Sequence, residues 1–241
     1  MKISIITVCY NAEKTIKDTI ESILKQSYTD FEYIIVDGKS SDNTLDIISK
    51  YQDNRIRLIS EKDNGLYDAM NKGINMANGD IIATLNADDI LANDHIFQTV
   101  IDNFDENTDV IYANIKYYNE DFSKVKRDFI SGTKENDYFC PAHPSMYVRK
   151  EIYQRIGTYN TSYKIASDFD FMVRCNTHNI RYKYIDEYFV YMRYGGKSNG
   201  FVGYLENYKE CLKILRKNRV SFPLTKTTLR SIHTIKQIIK G

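Results

Sequence analysis

Over the first 90 residues, the pattern of apolar and polar positions switches between a strand period and a helix period. Runs rich in β-branched and aromatic residues at 3–8, 31–36, 55–60 and 81–85 predict four strands. Three helices are expected between them: one capped by Asn11, one capped within residues 40–43 and reaching Tyr51, and one over 66–77. Strands separated by helices predict βαβ units and a mostly parallel sheet flanked by helices, which is an α/β fold.

The second half is less regular. Strands are expected at 109–115 and 182–193, a helix at 168–175 with Ser167 as its cap, and a helical tail from about Phe201 that is broken at Pro223. Near the end of the tail, apolar residues share one helical face, namely Leu229, Ile232, Ile235, Ile238 and Ile239. Basic residues gather on the other face, namely Lys226, Arg230, His233, Lys236 and Lys240. This pattern is typical of a helix on an anionic membrane surface, and equally of a helix packed on the rest of the chain.

Charge adds an asymmetry to this picture. The 241 residues carry a net charge of +1, which argues against a nucleic-acid-binding protein. Residues 209–241 hold nine Lys or Arg and one acid, Glu210, and so carry +8, which leaves −7 on the rest. The four cysteines form no CxxC pair and suggest neither a disulfide framework nor a zinc site. Because the N-terminus resembles a strand more than a signal peptide, a cytoplasmic protein is expected, with peripheral membrane contact through the tail.

Polar clusters follow three of the predicted strands, at 7–11, 37–41 and 86–89. Ligands of parallel sheets bind beyond the carboxyl ends of the strands, so these clusters are expected to converge on one site. Asp88 and Asp89 are adjacent carboxylates directly after a strand, and they repel each other unless a cation lies between them or solvent screens them. Such oxygen ligands suit Mn²⁺ or Mg²⁺ bridging to phosphates, and a solvated turn that caps the next helix is the alternative.

Four other groups carry chemistry of their own. Asp37 ends a strand, where it binds a base or ribose or simply forms a turn. Asp168 begins a predicted helix, as a candidate functional carboxylate or only as a stabiliser of the helix dipole. His143, held between two prolines, is a candidate ligand of a metal or substrate, or a structural residue. The loop from Arg193 to Ser198 is basic and glycine-rich, and it is expected to close over a diphosphate.

Six segments together resemble the family 2 glycosyltransferases of the GT-A fold. They are 3–11 (ISIITVCYN), 37–44 (DGKSSDNT), 61–73 (EKDNGLYDAMNKG), 85–89 (LNADD), 167–170 (SDFD) and 193–198 (RYGGKS). The last two are similar to the branch that builds bacterial polysaccharides and O-antigen. The resemblance implies a GT-A catalytic domain over 1–200, with a nucleotide-binding half at 1–90 and an acceptor-binding half at 91–200. A basic helical tail would follow at 201–241.

The resemblance and the positions in the chain together assign a role to each singled-out residue. The residues expected to bind the nucleotide sugar are Thr7, Tyr10, Asn11, Asp37, Asp63, Asn64, Asn86, Arg193 and Ser198. By the resemblance, Asp37 contacts uracil and Asp168 is the general base. The expected metal ligands are Asp88, Asp89 and His143. Asn86 stands where the family's DxD motif has its first Asp, and Ser167 stands where a Glu usually precedes the base.

The implied reaction is transfer of a sugar with inversion. An acceptor hydroxyl attacks the anomeric carbon, Asp168 takes the proton, and a cation stabilises the departing diphosphate. The expected partners are a UDP-sugar donor and a glycan or polyprenyl-diphosphate-linked acceptor. A sugar nucleotidyltransferase is one alternative, although it usually carries a basic, Gly-rich loop after the first strand, which residues 9–13 lack. A non-catalytic carbohydrate-binding module is the other, and it would need neither metal nor base.

Overall fold

A computed structural model describes residues 1–133, 139–195 and 201–228. Within them, the strands are β1 (Ile3–Cys9), β2 (Phe31–Asp37), β3 (Ile56–Ser60), β4 (Ile81–Thr84), β5 (Ile90–Leu91), β6 (Val110–Tyr118), β7 (Val125–Phe129), β8 (Tyr147–Arg149) and β9 (Tyr182–Arg193). The helices are α1 (Ile16–Leu24), α2 (Thr44–Ile48), α3 (Leu66–Met76), α4 (Ile96–Asn103), α5 (Lys150–Ile156), α6 (Ser167–Thr177) and α7 (Phe201–Lys217). A 3₁₀ turn, His143–Ser145, precedes β8.

All these strands belong to one mixed sheet. Their order is β3-β2-β1-β4-β8-β6-β9-β5, with β7 paired to β6. β1 pairs in parallel with β2 and β4, and β2 pairs in parallel with β3, so the carboxyl ends of these four strands lie on one edge. β8 runs antiparallel to both β4 and β6 and joins the parallel half to the rest. The α/β fold predicted from the alternation of strands and helices is confirmed.

Alternate residues of β1 contribute to two cores on opposite faces of the sheet. Ile3 and Ile5 pack with residues of α1 and α4 on one face, whereas Ile6 and Val8 pack with residues of α3, α5 and α6 on the other. Every residue of β1 and β2 is buried, as expected for parallel strands that are covered on both faces. A third, smaller core joins α6 to α7.

Three local predictions about helix ends are wrong. Asn11 does not cap α1: its φ is 52°, and its Oδ1 accepts a hydrogen bond from the Ser41 backbone N–H at 2.9 Å. The α2 helix ends at Ile48 and does not reach Tyr51. Ser167 is the first residue of α6 and not its cap, and within the described chain its Oγ is buried without a partner. Capping side chains can also bind neighbouring loops, and that choice depends on tertiary contacts.

The tail helix is interrupted earlier than predicted. α7 ends at Lys217, and a short helical segment covers residues 223–228. Arg219 and Phe222 both have a φ of 54°, which breaks the helix before Pro223. Proline then stands at the start of the next segment, where an N–H would have no helical partner. The amphipathic pattern from Leu229 onward lies outside the described residues, and among those described no helix has the length and apolarity to cross a membrane.

Candidate active site

The carboxyl ends of β1, β2 and β4 bring the predicted polar clusters to one edge of the sheet. Cys9 at the end of β1 pairs in register with Asp37 at the end of β2, and β4 is the other neighbour of β1. The loops after β1 and β2 are also joined, because the Asn11 N–H donates to Ser40 Oγ at 2.8 Å. The site therefore forms on the edge where ligands of parallel sheets bind.

Asp37 is completely buried, and both of its carboxylate oxygens accept hydrogen bonds. Ser60 Oγ donates to Oδ2 at 2.6 Å, while Ser40 donates through Oγ to Oδ1 at 2.5 Å and through N–H to Oδ2 at 3.0 Å. Sequence reasoning missed Ser60, although it ends the neighbouring strand β3 in register with Asp37. In this structure Asp37 fixes the loop after β2, and its contact with uracil stays a prediction.

A cleft of about 350 Å³ opens beside this loop and is lined by Tyr10, Gly38, Lys39, Lys62 and Asp63. Tyr10 is 62% exposed, so its ring is available to stack on a flat base. Asp63 is held in place because the Gly65 N–H donates to its Oδ1 at 2.9 Å. Thr7, in contrast, is fully buried, and its Oγ1 accepts a hydrogen bond from Tyr33 at 3.1 Å. The structure thus places Tyr10 and Asp63 in the cleft and Thr7 in the interior.

Asn64 lines a second, smaller cleft. Its other lining residues are Gly65, Leu66, Tyr67, Asp68, Thr161, Tyr163 and Lys164. These residues come from two separate parts of the chain, the start of α3 and the loop before α6. The segment 61–73 therefore connects the cleft beside β2 to the start of the helix that carries Asp168.

The segment after β4 presents two adjacent carboxylates with different surroundings. Asp89 is 1% exposed, and its Oδ2 accepts a hydrogen bond from Asn86 Nδ2 at 3.0 Å, while Oδ1 is buried without a partner in the described chain. Burial and the neighbouring Asp88 charge raise the pKa of Asp89 well above its usual value. Asp88 is only partly buried. Its carboxylate makes no hydrogen bond or ion pair with the described residues, so both of its oxygens are available to a ligand.

Arg193 holds this segment against α1. Its Nη1 donates to the Asp88 backbone carbonyl at 2.7 Å, and its Nη2 binds Asp18 at 2.5 Å. Its Nε donates to the Glu120 carbonyl at 2.7 Å, and the guanidinium lies 4.3 Å from the centre of the Phe122 ring. Its expected contact with a diphosphate stays a prediction, and Ser198 lies outside the described residues.

The chemistry of the oxygens after β4 fits a hard divalent cation. The carboxylate of Asp88, the unpaired Oδ1 of Asp89 and the amide oxygen of Asn86 are ligands of the type that Mn²⁺ and Mg²⁺ prefer. Among the described residues, no three His, Cys, Asp or Glu side chains are grouped so as to hold an ion by themselves. An ion here would therefore take further oxygens from a substrate diphosphate, as Mg²⁺ commonly does.

Asp168 lies in the first turn of α6 with one carboxylate oxygen held and the other open. The Phe169 N–H donates to Oδ1 at 2.8 Å, and the Tyr67 hydroxyl lies 3.2 Å from the same oxygen. Oδ2 has no partner among the described residues, so it is able to accept a proton from a ligand. Asp170 lies on another side of the helix, as predicted, where it binds Arg174 at 2.9 Å.

His143 lies in the turn before β8, with its Nε2 2.6 Å from the Tyr159 hydroxyl. Burial lowers the pKa of His143, and the nearby Asp168 charge opposes that shift only in part. A neutral imidazole next to the candidate base is the result. Its expected binding to a metal stays a prediction. Sequence reasoning missed both Tyr159 and Tyr67, although Tyr67 belongs to the 61–73 segment that carries the family resemblance.

Comparison with known proteins decides the family. The family model described as Glycosyl transferase family 2 matches residues 4–175. The chain belongs to glycosyl transferase family 2. Among relatives in this family, it is 30% identical over 220 residues to the PGL/p-HBAD biosynthesis glycosyltransferase of Mycobacterium tuberculosis, an alignment that covers 88% of this chain and 83% of that protein. Membership of this family decides against the alternative of a sugar nucleotidyltransferase.

A second relative matches over a shorter stretch. It is the Escherichia coli UDP-Glc:alpha-D-GlcNAc-diphosphoundecaprenol beta-1,3-glucosyltransferase WfgD, 36% identical over 118 residues, which is 48% of this chain and 47% of that protein.

Solved structures of glycosyltransferases share the fold. Residues 1–349 of S. aureus TarS in complex with UDP-GlcNAc superpose with a TM-score of 0.69 at 22% identity, covering 89% of this chain and 65% of that one. The mannosyltransferase PcManGT from Pyrobaculum calidifontis, in complex with GDP-Man and Mn²⁺, gives a TM-score of 0.68 at 17% identity, covering 89% and 63%. The chain thus spans slightly less than two thirds of each of these solved chains. The predicted GT-A fold is confirmed.

Proposed function

We propose that this family 2 enzyme is a metal-dependent, inverting glycosyltransferase that moves a sugar from a UDP-sugar to a hydroxyl of a glycan or polyprenyl-diphosphate-linked acceptor. One observation carries the proposal. Two carboxylates of the site, Asp88 and Asp168, keep oxygens without protein partners in the described chain, while the neighbouring acids Asp89 and Asp170 are buried. Residues 1–90 would bind the donor, and residues 91–200 would bind the acceptor.

The proposed binding site for the donor is the cleft beside β2. Tyr10 offers a ring to the base, and Asp63 offers a carboxylate to the base or ribose. Asp88, supported by Asn86 and Asp89, would hold Mn²⁺ or Mg²⁺ on the diphosphate. When bound, such an ion supplies positive charge that stabilises the leaving nucleoside diphosphate. Arg193 keeps the Asp88 backbone in place through its hydrogen bond to the carbonyl.

Asp168 is the group proposed to activate the acceptor hydroxyl. The acceptor oxygen attacks the anomeric carbon from the face opposite the diphosphate. As the new bond forms, the bond between that carbon and the diphosphate oxygen breaks, and the configuration of the carbon is inverted. The hydroxyl proton passes to Oδ2 of Asp168, the oxygen that is not held by Phe169 or Tyr67. Transfer in one displacement needs no covalent glycosyl-enzyme.

The names of similar proteins support the substrate classes. WfgD is named for UDP-Glc and a diphosphoundecaprenol acceptor, TarS was solved with UDP-GlcNAc, and PcManGT with GDP-Man and Mn²⁺. An acceptor of the WfgD kind lies at a membrane, which supports a reaction at the cytoplasmic face with the basic tail as the membrane contact. A thermal-shift panel of UDP-glucose, UDP-N-acetylglucosamine and GDP-mannose, each with and without Mn²⁺, tests donor and metal together, because binding to the folded state raises its stability. Stabilisation by GDP-mannose alone, or equal stabilisation in EDTA, would refute the donor or the metal assignment.

The general base is tested with Asp168→Asn. This change keeps the shape of the side chain but removes its ability to take a proton, so turnover is expected to fall by about 10²–10⁴-fold. UDP affinity, measured by calorimetry with Mn²⁺, should stay near wild type. Asp46→Asn is the matched control, because Asp46 is exposed on α2 and its side chain has no partner in the described chain. Wild-type turnover in the Asp168 variant would show that another group is the base.

A further inference from the structure

The helix that carries Asp168 is held between two cores. Phe171 and Met172 of α6 pack into the core beneath the sheet, whereas Phe169 and Val173 pack against α7. α7 begins at residue 201 and lies outside the residues matched by the family model. The helix that carries Asp168 is thus supported on one side by an element that lies beyond the residues matched by the family model.

Glu210 of α7 binds the loop that leads into α6. Its Oε1 accepts a hydrogen bond from the Lys164 N–H at 2.8 Å, and its Oε2 accepts from Ile165 at 3.0 Å and Ala166 at 2.9 Å. Three successive backbone N–H groups therefore converge on one carboxylate, and hydrogen bonds to a charged acceptor are stronger than neutral ones. Glu210 is also the one acid among residues 209–241, which otherwise carry nine basic residues.

The loop that Glu210 holds reaches the base through Tyr67. The Tyr67 hydroxyl lies 2.6 Å from the Ile165 carbonyl and 3.2 Å from Asp168 Oδ1. Burial raises the pKa of Tyr67 far above its usual value, so the hydroxyl keeps its proton. One hydroxyl has one proton to donate, so the position of the Ile165 carbonyl decides how far that proton is shared with Asp168. The N–H of this same residue 165 is bound by Glu210.

We propose that Glu210 is a positioning residue for the reaction: by binding the N–H groups of residues 164–166, it sets the geometry of Tyr67 and Asp168. This inference rests on the proposed role of Asp168 as the base. Glu210 would thus act on the reaction through Tyr67 and Asp168 rather than by contact with the substrate. The proposal also predicts that Tyr67→Phe lowers turnover in the same direction, because the phenyl ring fills the space but cannot bind Ile165 or Asp168.

The contact itself is tested by amide hydrogen exchange, which needs no substrate. In Glu210→Gln, the side-chain amide nitrogen cannot accept a hydrogen bond, so the amides of residues 164–166 should exchange faster. Glu206→Gln is the matched control, because Glu206 is exposed one turn earlier on the same helix and its side chain has no partner in the described chain. Unchanged exchange in Glu210→Gln, or equal acceleration in Glu206→Gln, would overturn the proposal.

The catalytic consequence is tested by kinetics of UDP release from UDP-glucose and UDP-N-acetylglucosamine in the presence of Mn²⁺. Small displacements of a catalytic group cost up to about 100-fold in rate, and we expect kcat of Glu210→Gln to fall by about 10- to 100-fold. The KM for the donor and the affinity for UDP should stay unchanged, and Glu206→Gln should behave as wild type. A loss of UDP affinity in step with kcat would mean that Glu210 only supports folding, and an unchanged kcat would mean that it does not position the base.

The double variant separates this inference from the function on which it rests. If Asp168 is the base and Glu210 acts through it, Glu210→Gln should lower the residual rate of Asp168→Asn no further. If Asp168→Asn alone keeps full turnover, the assignment of the base is wrong. If Asp168→Asn is inactive but Glu210→Gln matches wild type, the base assignment stands and the role of Glu210 is refuted.

Discussion

Asp88 and Asp89 are neighbours in sequence, but the fold gives their carboxylates different tasks. The Asp89 side chain is buried and accepts a hydrogen bond from Asn86, and burial beside the Asp88 charge raises its pKa. The Asp88 side chain is partly exposed and unpaired within the described chain. We therefore expect Asp88 to contribute more than Asp89 to the binding of a cation.

This division predicts different outcomes for two substitutions. Asp88→Ala should weaken Mn²⁺-dependent binding of UDP by about 10-fold or more, because losing a contact to a charged group costs roughly 1.5–3 kcal/mol. Asp89→Asn keeps the shape of a side chain that is 1% exposed, so it should retain most of that binding. Calorimetry with UDP in Mn²⁺ and in EDTA measures both, with Asp46→Ala as the control for loss of a surface charge. Equal losses in the Asp88 and Asp89 variants would show that the two carboxylates share the metal.

At the residue scale, the sequence singled out candidate side chains but not their hydrogen-bond partners. Asp168 stands out because it begins a predicted helix, and Asp63 because its segment resembles the family. Asn11 and Ser167 were assigned to helix caps, since cap preferences are local, but Asn11 binds the loop after β2 and the Ser167 hydroxyl is buried. The hydrogen bond between Tyr67 and Asp168 joins residues 101 positions apart, a separation that no local pattern reveals.

At the scale of elements, two glycines show where backbone fit matters. A methyl group at Gly38 would collide with the Asp63 carboxylate, which lines the cleft beside β2 and is itself bound by the Gly65 N–H. A methyl group at Gly73 would instead collide with Ile6, where α3 packs on β1. The first glycine lies beside the ligand cleft and the second lies in the core, so substitution at each should affect a different property.

We therefore expect Gly73→Ala to lower the free energy of unfolding and Gly38→Ala to weaken binding of UDP. Overpacking at Gly73 costs about 1–3 kcal/mol. The helix propensity of alanine returns about 1 kcal/mol at most, so the net effect is destabilising. Urea unfolding and UDP calorimetry on both variants check the prediction, and each variant serves as the control for the other. A destabilised Gly38→Ala that binds UDP normally would contradict it.

The sequence patterns missed the helices α4 and α5 and the strands β5, β7 and β8, all of which lie after the regular βαβ half. The βαβ half shows clear periods, and the predicted strands at 3–8, 31–36, 55–60 and 81–85 lie within about one residue of β1 to β4. β5 and β8 have two and three residues, too few to show an alternation. β8 is a strand because it fills the place between β4 and β6, which is a long-range pairing. The mixed half of the sheet depends on such long-range pairings, so the local sequence patterns of its strands did not predict it.

At the scale of the whole molecule, charge and exposed apolar groups meet at the end of the described chain. Phe222 is 77% exposed and Leu224 is 57% exposed, and they follow the basic residues Lys217 and Arg219. Residues 209–241 carry +8 against −7 on the rest of the protein. Apolar side chains that insert beside basic ones are what an anionic membrane surface binds. A membrane-linked acceptor, as proposed, would be met at that surface.

We predict that the full chain binds vesicles of phosphatidylserine and phosphatidylcholine at low salt and does not bind vesicles of phosphatidylcholine alone. A variant that ends at Thr228 loses three basic residues, Arg230, Lys236 and Lys240. At about 1 kcal/mol for each near an anionic leaflet, its vesicle affinity should fall by up to about 100-fold. Phe222→Ser with Leu224→Ser should also weaken binding, because it removes the exposed apolar groups without changing charge.

Both variants keep α7 and Glu210, so UDP release from the donor should continue at the wild-type rate. Vesicle sedimentation measures the binding, and a full-length protein that stays in the supernatant with anionic vesicles at low salt would show that the basic tail only packs on the enzyme.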